Sequence, residues 1–278
     1  MKTTIKDIMK MKTDRKKISM LTAYDFYMGK LVDEAGIDII LVGDSLGMVI
    51  QGQKDTLPVT LEEMIYHTKL VDRGRREALL VTDLPFMSFQ VSVEKALTSA
   101  GRIMKESGAQ AVKLEGGQRV VPQIKAMTEA GIPVMGHLGL TPQSVNQFGG
   151  FKVQGQEKKK AQQLISDAQA LEEAGIFALV LETVPHQLAS IITEKVSIPT
   201  IGIGAGPDCD GQVLVLHDLL GVDEEFKPRF ARQYANLNQI IKKAVREYID
   251  DIKEGSFPTE EESFSMEEDI LRHIREEQ

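Results

Sequence analysis

Five apolar runs of this chain end in, or carry, groups able to do acid–base or metal chemistry. The stretch from Ile37 to Gly47 is near-continuously apolar and then breaks into Asp44 and Ser45. Leu79 to Asp83 ends in Asp83, and Ala178 to Glu182 ends in Glu182. Ala111 to Glu115 carries Lys113 and Glu115 two residues apart, hence on one face of a strand. A fifth run, 133–138, reaches His137. A carboxylate at the end of a buried strand is costly unless it meets a cation, a proton or a donor. Like carboxylates brought within a few ångströms must share one. Oxygen donors without paired His or Cys select a hard divalent ion, magnesium or manganese. On this reading Asp44 and Asp83 are direct ligands, and Glu115 is a third, direct or through water.

Each residue also has a plainer reading. An Asp after a strand is commonly a helix N-cap. Lys113 pairs with Glu115 as a structural ion pair, and His137 serves equally as a hydrogen-bonded core histidine or beside the site. The acids, however, recur at strand ends, which a capping role does not explain. His186, His217 and His273 form no constellation and read as structural or surface residues. Cys209 has no neighbouring His in sequence, which argues against a catalytic thiol. Gly202, Gly204 and Gly206 are spaced too tightly for a dinucleotide fingerprint. They predict a tight loop that a backbone or ligand approaches closely.

These residues need a scaffold. Helix-like segments stop at Ala35-Gly36, Ser107-Gly108, Ala130-Gly131 and Ala174-Gly175, and a strand-like run follows each stop. The rhythm gives eight strands, at 18–24, 37–43, 78–82, 111–115, 133–138, 178–182, 199–203 and 213–217. Eight buried strands with helices between them predict a (β/α)8 barrel, a TIM barrel, with active residues at the C-terminal strand ends. A doubly wound open sheet is the competing architecture. The interval between strands seven and eight is too short for a full helix, so Pro207 to Gln212 is expected to be a turn or short helix. Thr4 to Lys12 predicts a short N-terminal helix. Phe226 to Phe230 reads as a loop, and Asn236 to Glu254 as an amphipathic helix. No Pro-, Gly- or Ser-rich linker interrupts the chain. Residues 1–278 therefore read as one domain, with 222–278 as a C-terminal helical extension whose last dozen residues are a frayed helix or disordered.

The 278 residues are 42% hydrophobic and 27% charged, with a net charge of -8, which opposes a nucleic-acid surface built on bulk positive charge. One cysteine excludes an internal disulfide framework. No apolar run approaches the roughly 20 residues of a membrane span. Met1 to Lys17 is basic but lacks a signal peptide's apolar core. The expectation is a cytoplasmic protein that engages neither membrane nor nucleic acid.

Taken in order, Val42–Met48, Thr82–Phe86, Val112–Gly116, Gly136–Pro142, Ile201–Gly206, Asp210–Gln212 and Lys227–Phe230 resemble the ketopantoate hydroxymethyltransferase family. The resemblance runs from about Thr4 to Met266. It implies a (β/α)8 barrel, bound Mg2+, and a reaction of pantothenate and coenzyme A biosynthesis. In that reaction 5,10-methylenetetrahydrofolate donates a hydroxymethyl group to 3-methyl-2-oxobutanoate through a metal-stabilised enolate. Carried over by motif, Asp44 and Asp83 bind the metal, with Glu115 the third acidic position. Asp44, Ser45, Asp83 and Lys113 contact the keto acid, and Glu182 is the proton acceptor. The resemblance also implies a homo-oligomer, a decamer of paired pentamers. It does not identify the folate-binding residues; the long segments 45–77 and 141–177 are the candidates. Two other readings use the same features. One is a metal-dependent barrel that makes or breaks a C–C or P–C bond on a pyruvate-like acid without folate. The other is a non-catalytic ring-forming barrel that binds a small anion.

Overall fold

Each of the eight apolar runs forms a strand. The structure is a computed structural model and describes residues 2–148, 150, 152–224 and 227–276; Phe226, the first residue of the expected 226–230 loop, lies outside them. In chain order the elements begin with α1 (Ile5–Thr13), β1 (Ile18–Thr22), α2 (Phe26–Glu34), β2 (Ile39–Val42), α3 (Leu46–Val49), α4 (Leu61–Gly74) and β3 (Leu79–Asp83). There follow α5 (Val93–Ser107), β4 (Ala111–Glu115), α6 (Val121–Glu129), β5 (Val134–Gly139), α7 (Val145–Phe148), α8 (Lys158–Glu173) and β6 (Ala178–Glu182). The chain continues with α9 (His186–Lys195), β7 (Thr200–Ile203), β8 (Gly211–Leu214), α10 (Leu216–Leu220), α11 (Leu237–Glu254) and α12 (Glu268–Glu276).

The strands are parallel and close on one another in sequence order, β1 pairing with β8. This is the (β/α)8 barrel; closure excludes the open doubly wound sheet. No helix separates Ile203 from Gly211, so the short connection between β7 and β8 is a turn, as its length required. The eighth strand lies earlier than expected. Gly211 pairs with Ile18, and the Leu216 N–H is taken by the Thr22 hydroxyl at 3.0 Å, which ends the strand and starts α10. His217, placed by the sequence in a strand, is therefore helical. The first strand likewise stops at Thr22, short of Tyr24.

Side-chain alternation divides the core. Ile39, Leu41, Leu79, Val81, Ala111, Met135, Ala178, Val180, Ile201 and Ile203 fill the barrel interior together. Their sequence neighbours, such as Val112, Leu114, Val134, Leu179 and Leu181, pack outward under the helices. That period of two decides which residues point in at the strand ends. The N-terminal helix closes the opposite end. Thr4 caps it, and Ile8 joins the interior cluster against the strand starts. Among the described residues no helix is long and apolar enough to cross a membrane.

Candidate active site

On β3, Asp83 continues the inward phase of Leu79 and Val81. On β4, Lys113 and Glu115 continue that of Ala111; on β5, His137 that of Met135; on β6, Glu182 that of Ala178 and Val180. The inward position that follows Leu41 on β2 is Gly43. A Cβ there would lie 2.8 Å from Ser45 Oγ and 3.4 Å from Asp83 Oδ2. The missing side chain thus leaves room for Ser45 and Asp83, and the turn after it delivers Asp44. The Asp44 N–H donates to Asp83 Oδ2 at 3.1 Å. Asp44, Ser45, Asp83, Lys113, Glu115, His137 and Glu182 all line one cavity of about 620 Å³. The structure therefore brings every sequence-predicted site residue together at the C-terminal barrel mouth.

The plainer readings give way to specific contacts. Asp44 does not cap a helix: its Oδ2 accepts from Gln143 Nε2 at 2.9 Å. Ser45 precedes α3 without a side-chain cap bond, and its hydroxyl meets the Tyr24 hydroxyl at 2.8 Å. Lys113 Nζ pairs with Asp83 Oδ1 at 2.8 Å, so its partner is Asp83 and not the Glu115 proposed from the strand pattern. His137 Nε2 lies 3.1 Å from Glu182 Oε2, while its Nδ1 accepts from Lys113 Nζ at 3.3 Å and lies 3.5 Å from Glu115 Oε1.

Burial, followed by the charges of Asp83 and Glu115, pushes the Asp44 carboxyl well above the usual range. Burial also raises Asp83, although Lys113 opposes it. Burial alone would lower Lys113; Asp83, Glu115 and Asp44 outweigh it and raise the ammonium's pKa. Burial and the Lys113 charge likewise oppose a charged His137, but Glu115 and Glu182 push its pKa up to about 9. In this cluster the carboxylates of Asp44, Asp83, Glu115 and Glu182 outnumber the Lys113 ammonium, which leaves a deficit of positive charge. A divalent cation matches that deficit and relieves the pressure that raises Asp44.

The donor set fits a hard ion of this kind. Among the described residues no three acid, imidazole or thiol groups form a ready-made metal cage. Magnesium does not require one, because it takes one or two protein carboxylates and completes its shell with water and substrate oxygens. Asp44 and Asp83, linked through the Asp44 N–H, are the adjacent pair that suits it.

Several residues of the site had no signal in the sequence. Gln143 is buried and ties three parts of the mouth together. Its side chain donates to Asp44 Oδ2 and to the Leu84 carbonyl, each at 2.9 Å, and its N–H donates to Glu115 Oε2 at 3.0 Å. An amide following Pro142 carries no pattern of its own. His217, read as structural or surface, lines the cavity with Asp218, Arg229 and Phe230. The glycine loop admits side chains: the Phe230 ring would come within 2.9 Å of a Cβ at Gly204, whose φ is +62°. Cys209 is buried, and burial raises its thiol pKa, the reverse of an activated nucleophile.

A family model described as ketopantoate hydroxymethyltransferase matches residues 2–260. A Clostridium botulinum (strain Alaska E43 / Type E3) protein named 3-methyl-2-oxobutanoate hydroxymethyltransferase is 57% identical over 274 residues, 99% of this chain and 100% of its own. A Clostridium kluyveri protein of the same name is 58% identical over 270 residues, 97% of this chain and 96% of its own. Among solved structures, a phosphonopyruvate hydrolase aligns with TM-score 0.62 at 13% identity over 100% of this chain and 96% of its own. A 2,3-dimethylmalate lyase of the PEP mutase/isocitrate lyase superfamily gives 0.59 at 15% identity, over 99% of this chain and 95% of its own. These two share the barrel fold. By sequence over nearly its whole length, the chain belongs to the ketopantoate hydroxymethyltransferase family.

Proposed function

We propose that this chain transfers a hydroxymethyl group from 5,10-methylenetetrahydrofolate to 3-methyl-2-oxobutanoate, giving ketopantoate for pantothenate synthesis, with magnesium as cofactor. The observation that carries the reading is the entry of Glu182 from β6 into the cavity that holds Asp44, Asp83, Lys113 and Glu115. A carboxylate in that cavity can serve as the base for a 2-oxo acid held by the charged cluster. The relatives' name supports the same substrate.

The Ser45 hydroxyl holds the acid's carboxylate and so sets its orientation. Glu182 takes the C3 proton. The electron pair moves into the C2–C3 bond and negative charge develops on the C2 oxygen. Lys113, a buried cation in the same cavity, stabilises that charge. His137 Nε2, 3.1 Å from Glu182 Oε2, holds that carboxylate in place. When bound, the divalent ion supplies Lewis acidity toward the acid's oxygens. Asp44 and Asp83 would hold it, with Glu115 direct or through water. Across the whole reaction one C–C bond forms at C3 and both N–CH2 bonds of the donor break. Water supplies the hydroxyl, and the two folate nitrogens regain protons, one from water and one from C3.

Deuterium uptake at C3 of 3-methyl-2-oxobutanoate in D2O, without folate, tests the first half. Exchange that needs both protein and divalent ion is the expected result, and its absence at any metal concentration overturns the reading. Product formation must also require methylenetetrahydrofolate. Exposed apolar residues along α11, among them Ile241, Val245, Tyr248 and Ile252, support the proposed homo-oligomer. Sedimentation of the full chain gives its subunit count, with a decamer expected.

A further inference from the structure

The cavity is much larger than a five-carbon acid requires. Its volume of about 620 Å³ falls within the roughly 300–1,000 Å³ that encloses drug-sized ligands. The residues assigned to the acid, the metal and the proton all come from the β2 to β6 side. The β7–β8 side of the same cavity is assigned nothing. Its wall carries Ile203, Val213 and Val215, together with Phe230 from the chain before α11. Into that wall α10 places Asp218. Among the described residues no donor or cation meets the Asp218 carboxylate, although it is partly buried and sits in the field of Asp223. A half-buried carboxylate in a cavity wall, without a protein donor, is free to accept hydrogen bonds from a ligand. His217 beside it has a buried Nδ1 without a hydrogen-bond partner. Arg229, in the rim of the same wall, is exposed and has no acidic partner among the described residues.

The geometry points to this wall as the seat of the one-carbon donor, with Asp218 accepting hydrogen bonds from the pterin ring, Phe230 covering an aromatic face, and Arg229 meeting the glutamate tail. The inference rests on the folate-dependent reading above. A reduced pterin presents a ring N–H and an adjacent amino group on one edge, which a single carboxylate accepts side by side. Its flat faces suit an apolar wall with an aromatic ring, and Phe230 is 39% exposed and available for that contact. The tail carries two carboxylates, and a guanidinium at the rim matches either one bidentately. Position also favours this cavity over its neighbour. A second cavity, of about 460 Å³, is lined by Gly116, Leu138 and Thr141, the sequence neighbours of inward-facing residues, and shares no lining residue with the first. A donor seated there would be separated from the acid by the barrel wall. Segment 45–77 also lines the first cavity, through Ser45, Met48, Val49, Gln53 and Thr56, whereas among the described residues 141–177 contributes Pro142 alone.

Titration of tetrahydrofolate into the full-length protein, followed by calorimetry, tests the placement. Asp218→Asn keeps the shape and one acceptor but cannot take both donors. It should raise the tetrahydrofolate Kd at least ten-fold while the Kd of 3-methyl-2-oxobutanoate stays within two-fold. Arg229→Ala should weaken tetrahydrofolate several-fold and leave a tail-free tetrahydropterin unaffected. Wild-type affinity for tetrahydrofolate in Asp218→Asn overturns the pterin placement, and equal weakening of both pterins by Arg229→Ala overturns the tail placement. If the unaltered protein binds no tetrahydrofolate, the donor assignment itself falls and takes this placement with it. A parallel loss of keto-acid affinity in Asp218→Asn marks general disruption of the mouth and counts against the inference.

Discussion

Lys113 Nζ lies 2.8 Å from Asp83 Oδ1, and each side chain is 5% exposed. The pair joins β3 to β4 within the charged mouth of the barrel. A buried pair is rarely a net source of stability, but breaking one side of it strands the other charge, at a cost of about 3–5 kcal/mol. Lys113→Met should lower unfolding free energy by roughly that amount in denaturant titration, because Asp83 then faces Asp44 and Glu115 unrelieved. The double variant Lys113→Met, Asp83→Asn should recover much of the loss. Equal instability in the single and double variants would mean that the pair is not the relevant interaction. Manganese binding, followed by its electron spin resonance signal, should weaken in Asp83→Asn alone.

Glu182→Gln keeps the side chain's size and removes its capacity to accept a proton. C3 exchange should fall by about 10²–10⁴-fold, the usual contribution of a positioned base. Affinity for the keto acid should change little, since Ser45 and Lys113 hold it. Exchange at the wild-type rate in this variant would remove Glu182 from the chemistry.

Asp218 gives a pH signature. Burial, and then the charge of Asp223, raises its carboxyl to about 6 from an ordinary 3.8. A raised carboxyl binds its proton more tightly folded than unfolded, so its contribution to stability is greatest below pH 4. That contribution is lost as pH rises through 6. Asp218→Asn does not titrate. Its stability relative to wild type should therefore climb between pH 4 and 6 and level off above 7, in denaturant titrations at matched pH. A flat difference across that window would place Asp218 in water and not in the cavity wall.

Most of the scaffold was legible because it depends on local signals. Asp25, Thr60 and Asn236 cap their helices. The stops at Gly36, Gly108, Gly131 and Gly175 all adopt left-handed backbone angles. The alternation along β3 to β6 also located the inward-facing acids. What the sequence concealed are pairings across the mouth. Lys113 has Glu115 two residues away but bonds to Asp83 on another strand, a choice fixed by barrel register and invisible along the chain. The end of β8 is hidden along the chain for a similar reason: the Thr22 hydroxyl that stops it lies 194 residues away. The β7–β8 wall was missed because His217, Asp218, Arg229 and Phe230 belong to separate segments that meet only once the barrel closes.

Gln143 is the least conspicuous of these long-range contacts. Gln143→Leu has similar size but leaves Asp44 Oδ2 and the Leu84 carbonyl without their donor. An unmade buried hydrogen bond costs about 1–3 kcal/mol, more where the acceptor is charged. The variant should lose that much stability and show a further rise in the Asp44 carboxyl's pKa, readable by carbon NMR of labelled aspartate. Gln143→Asn, one methylene shorter, should not restore either property. Unchanged stability together with an unchanged Asp44 signal would show that solvent replaces the amide there.

Lys12 provides the opposite case, a half-buried charge at the end of the barrel remote from the chemistry. Its Nζ donates to the carbonyls of Thr193, Val196 and Ile198 at 2.9, 3.0 and 2.8 Å and pairs with Asp210 Oδ2 at 3.0 Å. Both side chains of that pair are 17% exposed. Asp210 in turn accepts from the Thr200 N–H at 2.9 Å, so one ammonium links α1 to the starts of β7 and β8. No helix connects these two strands in sequence, and they share two paired positions. Lys12→Met should cost about 3–5 kcal/mol, because Asp210 and three carbonyls lose their common partner. Activity per folded molecule should stay within two-fold, since residues at the N-terminal face of such a barrel serve stability and those at the C-terminal face serve catalysis. Thermal melts and C3 exchange rates measured on the same preparation separate the two effects. A large loss of exchange at full folding would show that the β7–β8 side of the mouth depends on the anchor beneath it.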